Sequence, residues 1–202
     1  MHPSFRPFMF RTVLFTALVL VIAIGGGASS VWYALDRQDG IDAVSIGGWT
    51  AFPDIGTPDA DPYSQARTAR QGILTLGRAE GISFIAQHDS SGDGLRQGCS
   101  YRIEGIIPPA RFWTLYAADE TLSALPTQTR RPFALHSYEV LRGPENTVTI
   151  AVGPHPAPGN WLMVRGAGAM LLVLTLYDTS IASSTGIADV DLPLVTKVAC
   201  DA

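Results

Sequence analysis

The sequence predicts a mainly β protein: an antiparallel, jelly-roll-like β-sandwich with one early helix, preceded by a single N-terminal transmembrane helix. Three observations predict it. Residues 170–177 form a long apolar run, several short segments alternate in polarity between turn residues, and an uncharged run lies near the N-terminus. The 202 residues are 47% hydrophobic and 16% charged, which is typical of a globular protein. Roughly 140–165 residues remain beyond the N-terminal segment, enough for one domain with a core.

The N-terminal run, residues 12–35, follows Arg6 and Arg11. Its 24 residues can span a bilayer, and Trp32 and Tyr33 lie where interfacial aromatic residues are expected. We predict a cytoplasmic N-terminus (1–11), a transmembrane anchor (12–35) and a single-pass inner-membrane protein whose C-terminal domain is periplasmic. A signal peptide cleaved after Ala28 is the alternative, and both interpretations export the domain.

Residues 36–60 are rich in Gly, Pro and Asp and are interpreted as an extended lead to the β-sandwich domain, residues 61–202. Asp61 and Pro62 predict a helix start, with Asp61 as N-cap. Tyr63, Ala66 and Ala69 recur at helical spacing and are expected to face the core, together with Ile73.

Strand patterns follow the helix. Segments 82–86 and 101–105 alternate in polarity and predict a hairpin with a turn-rich tip between them. Asp89, Ser91 and Asp93 in that tip resemble the start of a calcium loop, but Ser100 stands where the twelfth-position glutamate belongs, which favours a plain tip. Further predicted strands are 112–117, 133–142, 147–152 and 194–200, with a short helix in 181–191.

The run 170–177 predicts a central strand buried on both faces. The stretch 161–177 also has about the minimum length of a membrane-spanning helix. Arg165, Gly166 and Gly168 instead favour a strand, a turn and a second strand.

Cys99 and Cys200 are the only cysteines, and an even pair in an exported chain predicts a disulfide. In the chain-entropy model, closing a loop of about a hundred residues stabilises the fold by about 4–5 kcal/mol. Two buried free thiols are the alternative.

Charge and motifs exclude several functions. Setting aside Arg6 and Arg11 leaves 12 of the 14 basic residues against 18 acidic ones, a formal charge of −6 that disfavours nucleic acid as a partner. The sequence contains no Gly-x-Ser-x-Gly elbow, no His-x-x-x-His pair and no Cys-x-x-Cys pair. We therefore predict no catalytic residue, metal ligand or cofactor.

The candidate ligand-binding residues are aromatic, with arginine and asparagine nearby. Such a set can bind a sugar or a peptide by stacking and hydrogen bonding, whereas the alternative places the tryptophans in the core. The candidates are Arg111, Trp113, Tyr138, Asn160 and Trp161.

Several sequence blocks carry a family resemblance. They include Asp61-Pro62-Tyr63, Cys99-Ser-Tyr101, the Arg-Phe-Trp at 111–113, the Asn-Trp-Leu at 160–162, the run 170–177 and Leu192-Pro193. Over about residues 49–202 the chain resembles domain-of-unknown-function family 1214 in its small membrane-anchored bacterial form. The resemblance implies a jelly-roll-like β-sandwich and, as a partner, a protein of domain-of-unknown-function family 1254. It brings no reaction to transfer. The family often has proline where this chain has Met163 and arginine where it has Thr175.

We expect a membrane-anchored, exported domain that works by binding, as an accessory subunit of an envelope assembly. The alternative is an enzyme acting on envelope carbohydrate or lipid. A glycosidase would need two carboxylates across a cleft. The carboxylates available are Glu80, Glu104, Asp119, Glu120, Glu139 and Asp178.

Overall fold

The computed structural model describes residues 6–36, 43–72, 74–126, 132–183, 187 and 190–200. The chain divides into two compact units, Met1–Gly40 and Ile41–Ala202. The first contains helix α1 (Arg6–Asp36). Its apolar stretch Phe10–Tyr33 is 24 residues, long and apolar enough to cross a membrane, a criterion that a signal sequence also meets.

The second unit is mainly β, as predicted, with two sheets and one α-helix among its described residues. That helix is α2 (Pro62–Gln71). The strands are β1 (Val44–Ile46), β2 (Trp49–Ala51), β3 (Gly81–Ala86), β4 (Cys99–Ile106), β5 (Phe112–Ala118), β6 (Ala134–His136), β7 (Thr147–Gly153), β8 (Asn160–Met163), β9 (Leu171–Tyr177) and β10 (Leu194–Cys200).

One sheet has six strands in the order β1-β2-β3-β9-β5-β6, and the other has four in the order β10-β4-β7-β8. All strand pairs are antiparallel except β7 and β8, which are parallel, so the smaller sheet is mixed. Only residues 154–159 connect this parallel pair, far fewer than a usual crossover. A jelly-roll connectivity stays a prediction.

The long apolar run forms a strand buried on both faces, which confirms the sequence prediction. β9 lies between β3 and β5, and its first six residues are buried. Leu172, Leu174 and Leu176 face the other sheet and pack in the main core with Phe84 and Tyr101. Leu171 and Val173 face away and form a second small cluster with Ala118. β9 is therefore neither a membrane helix nor an edge strand.

The predicted lead contributes to the sheet, which corrects the expected start of the domain. β1 and β2 form a hairpin, and β2 pairs with β3. Trp49 is 2% exposed and its indole Nε1 donates to Pro193 O at 2.7 Å. The two strands have three residues each, too few for alternation to stand out in a Gly- and Pro-rich stretch.

The hairpin predicted between residues 82 and 105 is wrong. β3 belongs to the six-stranded sheet and β4 to the four-stranded one, so residues 87–98 cross between the layers. Leu95 anchors this crossing: it is 1% exposed, its amide donates to Gln87 O, and its carbonyl accepts from Met170 N. The sequence predicts the positions of both strands correctly, but which strand pairs with which depends on residues far away in the chain.

Helix α2 begins as predicted but presents a different face. Asp61 Oδ1 accepts from the amides of Tyr63 and Ser64, and Gly72 ends the helix with a positive φ of 66°. Ser64 is buried, whereas Tyr63 is 43% exposed and Ala66 and Ala69 are exposed. The fourth position of the expected face, 73, lies outside the described residues.

Two other elements are shorter than predicted. β6 covers three residues of the segment 133–142, which then turns through 137–139 and rejoins β7 only by a bridge at Arg142. A 3-10 helix, Ser180–Ser183, stands at the start of the predicted helix in 181–191. Part of that segment lies outside the described residues. β10 has the bounds that the sequence predicts.

Candidate functional site

The face of the six-stranded sheet that points away from the four-stranded sheet, here called the outer face, carries the candidate site. Strand register brings its side chains into rows. Thr175 lies beside Ser83 on β3 and beside Thr114 on β5, and Thr114 lies beside His136 on β6. The Ser83 and Thr175 hydroxyls are 3.0 Å apart and hydrogen-bonded. Thr175, where the resemblance suggests arginine, is 5% exposed at the centre of this face.

Next to this polar row lies a group of rings in mutual contact, here called the aromatic patch: Phe112, His136 and Tyr138, which stack, and Tyr177, which is tilted against Phe112. The Phe112 ring centroid is 5.8 Å from that of His136, 5.7 Å from that of Tyr138 and 5.7 Å from that of Tyr177. The rings of His136 and Tyr138 are nearly parallel, at 8° and 5.6 Å. Three of the rings are half-buried, and Tyr138 is 74% exposed.

An ion pair borders the aromatic patch. Arg111 precedes Phe112, Asp178 follows Tyr177, and Phe112 and Tyr177 are directly paired across β5 and β9. Arg111 Nη1 lies 3.5 Å from Asp178 Oδ2, and their side chains are 82% and 69% exposed. The Arg111 amide also donates to Asp178 O. The border of the patch therefore carries one positive and one negative charge and has no net charge.

The phenols of the outer face interact electrostatically. Burial raises the pKa of Tyr116 above its ordinary value, and the nearby Tyr177 phenol raises it further. The raised pKa keeps the Tyr116 phenol protonated at physiological pH, so that it can donate a hydrogen bond. His136 Nδ1 is buried and has no hydrogen-bond partner among the described residues.

The five candidate residues lie in three places. Arg111 and Tyr138 meet at the aromatic patch. Trp113 alternates with Phe112 along β5, faces the other sheet and is 2% exposed in the main core. Trp113 is therefore a core residue, as the alternative interpretation predicts.

Asn160 and Trp161 lie on β8 in the other sheet and serve the backbone. Asn160 Oδ1 accepts from Leu141 N at 2.8 Å, while its Nδ2 donates to the carbonyls of Leu141 at 2.8 Å and Thr149 at 3.0 Å. Trp161 Nε1 donates to Gly153 O at 3.1 Å. These bonds fix the start of β8 and the tight connection behind it.

Sequence reasoning missed Phe112, His136 and Tyr177 as parts of one site. Their signal is weak, because the rings come from three strands and 65 positions separate the first from the last. Alternation alone could have separated Phe112 from Trp113, but which of the two faces outward depends on the position of the second sheet.

The calcium-like tip is built around a lysine. The Asp89 side chain is 1% exposed, and its Oδ1 accepts from the amides of Ser91 and Asp93. Lys197, the only lysine of the chain, forms an ion pair with Asp93 and lies 3.9 Å from Asp89 Oδ2. Its hydrogen bond holds the pKa of Asp93 below the ordinary value and raises its own. The ammonium group occupies the place that a bound cation would take.

Three of the candidate carboxylates are engaged locally. Asp119 Oδ1 accepts from Thr121 and Ser123 in its own turn, and chiefly the Thr121 hydroxyl lowers its pKa. Glu80 accepts from Gly77 N, and Asp178 pairs with Arg111. Among the described residues there is no group of three or more His, Cys, Asp or Glu placed to hold a metal ion.

Cys99 and Cys200 are joined by a disulfide across paired positions of β4 and β10. Loop 89–94 reinforces this edge, because Ser90 donates from its amide (2.7 Å) and its hydroxyl (2.9 Å) to Val195 O. The C-terminal strand is thus held at both ends.

Comparison with known proteins gives the family. No curated protein matches the chain. The crystal structure of the VPA0106 protein from Vibrio parahaemolyticus matches with a TM-score of 0.53 and 17% identity, covering 69% of this chain and 36% of that one. The crystal structure of an uncharacterized protein from Burkholderia cenocepacia gives 0.44 and 14%, covering 91% and 52%. The first likeness shows a shared fold, and this chain spans about a third of that relative. The family profile "Protein of unknown function (DUF1214)" matches residues 80–181, half of the chain, so the protein belongs to the DUF1214 family.

Proposed function

We propose that this protein is an exported, membrane-tethered binding domain that uses the aromatic patch as its binding face. The tether is α1, with Arg6 and Arg11 on the cytoplasmic side of the inner membrane and the β unit in the periplasm. The disulfide supports export, because such bonds persist in oxidising compartments.

One observation supports binding above all: four aromatic rings contact one another on the outside of the sheet. Aromatic side chains usually bury 150–250 Å² each, yet Tyr138 leaves 74% of its surface in solvent. Its contacts with His136 and Phe112 hold the ring in place at this exposed position. An ordered aromatic group that faces solvent is typical of a recognition surface.

The assembly that we propose is an envelope complex in which this domain is an accessory subunit. A protein of domain-of-unknown-function family 1254 is the proposed neighbour, on the ground of the family resemblance alone. The alternative of an envelope enzyme has less support, because three of the six candidate carboxylates, Glu80, Asp119 and Asp178, are held by their own turns or by Arg111.

Site-specific photocrosslinking in intact cells tests the binding face. A photoreactive amino acid replaces Tyr138 in the full chain, and a matched control replaces Thr196, which is exposed on the four-stranded sheet. We expect identified envelope adducts from position 138 only. Equal adducts from both positions, or none from 138, would remove the aromatic patch as the binding face. A C-terminal alkaline phosphatase fusion checks placement, since it is active only if the domain is exported.

A further inference from the structure

We infer that the aromatic patch binds a neutral glycan, whose sugar ring stacks on Tyr138 and whose hydroxyl groups bond to Arg111 and Asp178. This inference rests on the proposed function and names its ligand class. Three features carry it: the fixed exposed rings, the neutral ion pair at their border, and the small apolar area.

The rings are ordered before a ligand arrives. Phe112 contacts the other three rings at 5.7–5.8 Å, and His136 lies parallel to Tyr138 within 8°. Each such ring pair contributes about 0.5–1.5 kcal/mol. Ligand binding therefore need not immobilise these side chains, which lowers its entropic cost. The face of an aromatic ring carries partial negative charge, and the C–H groups on one side of a pyranose carry partial positive charge, so the two surfaces attract each other.

The charges at the border select against ionic ligands. Arg111 and Asp178 are 3.5 Å apart and both largely exposed. An anion attracted by the guanidinium is therefore repelled by the carboxylate, and a cation attracted by the carboxylate is repelled by the guanidinium. A neutral polyol gains from both groups, because the guanidinium offers donors and the carboxylate offers acceptors to its hydroxyls. Planar donors and acceptors beside an aromatic surface thus fit a sugar that has both polar edges and an apolar face.

The patch is small for a protein partner. A stable protein interface buries about 800 Å² on each side, with apolar anchors in its centre. Here one strongly exposed ring stands beside three half-buried ones, with a charged border on one side and the polar row on the other. The remaining outer face around Leu171 and Val173 is already covered. One or two sugar rings can cover the single strongly exposed ring and reach the ion pair that borders the patch.

Saturation-transfer NMR on the full chain in a detergent without a sugar headgroup tests the inference. The probes are neutral oligosaccharides: cellohexaose, maltohexaose and chitohexaose, with polygalacturonate as an anionic comparison. We expect saturation of ring C–H protons in a neutral probe. Removing one stacked ring in Tyr138→Ala should weaken binding about tenfold, the effect of about 1.4 kcal/mol. Tyr138→Phe keeps the ring and should bind nearly as wild type, and Tyr63→Ala on α2 is the matched exposed-tyrosine control.

The outcomes separate the two proposals. If no neutral probe is saturated, or polygalacturonate binds more tightly, the glycan inference is overturned, while protein adducts from position 138 would keep the binding face. If a glycan binds but Tyr138→Ala and wild type are equal, the aromatic patch is not the site and both proposals fall. Weaker binding by Tyr138→Ala together with retention by Tyr138→Phe supports both.

Discussion

Reducing the disulfide should destabilise the β unit strongly and release β10 first. Cys99 and Cys200 are 101 residues apart, and a cross-link closing a loop of that length removes chain entropy worth about 4–5 kcal/mol from the unfolded state. Domains of this size are usually stable by about 5–15 kcal/mol, so the reduced protein approaches marginal stability. β10 should open first because only Val195 of its seven residues is buried, so without the disulfide it is held mainly by its pairing with β4 and by the Ser90 hydrogen bonds to Val195 O.

Urea unfolding of the full chain in detergent, followed by tryptophan fluorescence with and without a phosphine reductant, measures the loss. Hydrogen exchange at the β10 amides reports whether that strand opens first. The control is the double variant Cys99→Ala/Cys200→Ala, whose stability should not respond to reductant. A change below about 1 kcal/mol, with two free thiols counted after reduction, would refute the chain-entropy reasoning for this bond.

Three further predictions concern the core, the hydrogen bonds of Asn160 at the start of β8, and the ion pair between Lys197 and Asp93. Leu174→Ala should cost about 3–5 kcal/mol in urea unfolding, whereas Leu194→Ala, 59% exposed, should cost under about 0.5; equal effects would contradict a buried central strand. Asn160→Ala should lower the stability by about 1–3 kcal/mol, because the side chain loses three hydrogen bonds to the backbone, yet it should leave oligosaccharide binding unchanged. Weaker binding by a folded, stable variant would show that Asn160 contributes to the binding site. The stability difference between wild type and Lys197→Met should be constant from about pH 5 to 9 and shrink on both sides. Because the pKa of Asp93 is lowered in the folded protein, its ion pair stabilises the fold above the pKa of the unfolded state, and this stabilisation is lost in acid. Because the pKa of Lys197 is raised, its contribution is present below the pKa of the unfolded state and is lost in base. A stability difference that stays constant down to pH 3 would exclude a contribution from this pair.

Local signals predicted local structure well. Asp61 caps α2 because its carboxylate needs only the amides two and three residues further on. The apolar run of β9, interrupted only by Thr175, requires cover on both faces of the strand. β10 also kept its predicted bounds, since β-branched and apolar residues continue up to its cysteine. In each case the determining residues lie within the element itself.

Pairing between distant segments could not be predicted in the same way. The alternation of β3 and β4 fits a hairpin as well as two separate sheets, and the burial of Leu95 in the crossing decides between them. Trp49 in the predicted lead packs in the main core and donates its N–H to Pro193 O, 144 residues away, so its burial depends on distant segments. The same limit applies to Trp113: the sequence gives its residue type but not which face of the sheet its side chain lies on.

The exposure of the aromatic patch does not follow from the fold alone. The outer face has two ends, and at one of them Leu122 and Tyr116 cover Ala118 and Val173 as a satellite core would. At the other end β9 finishes at Tyr177 among rings, and nothing within the described β unit buries Tyr138. A sheet that needed only stability would put small or polar residues at that end, since stacked rings in water forgo much of the free energy that burial would give them. The proposed contact outside the chain would offset this cost, and the Arg111–Asp178 pair beside the rings, which has no net charge, suits an uncharged partner surface.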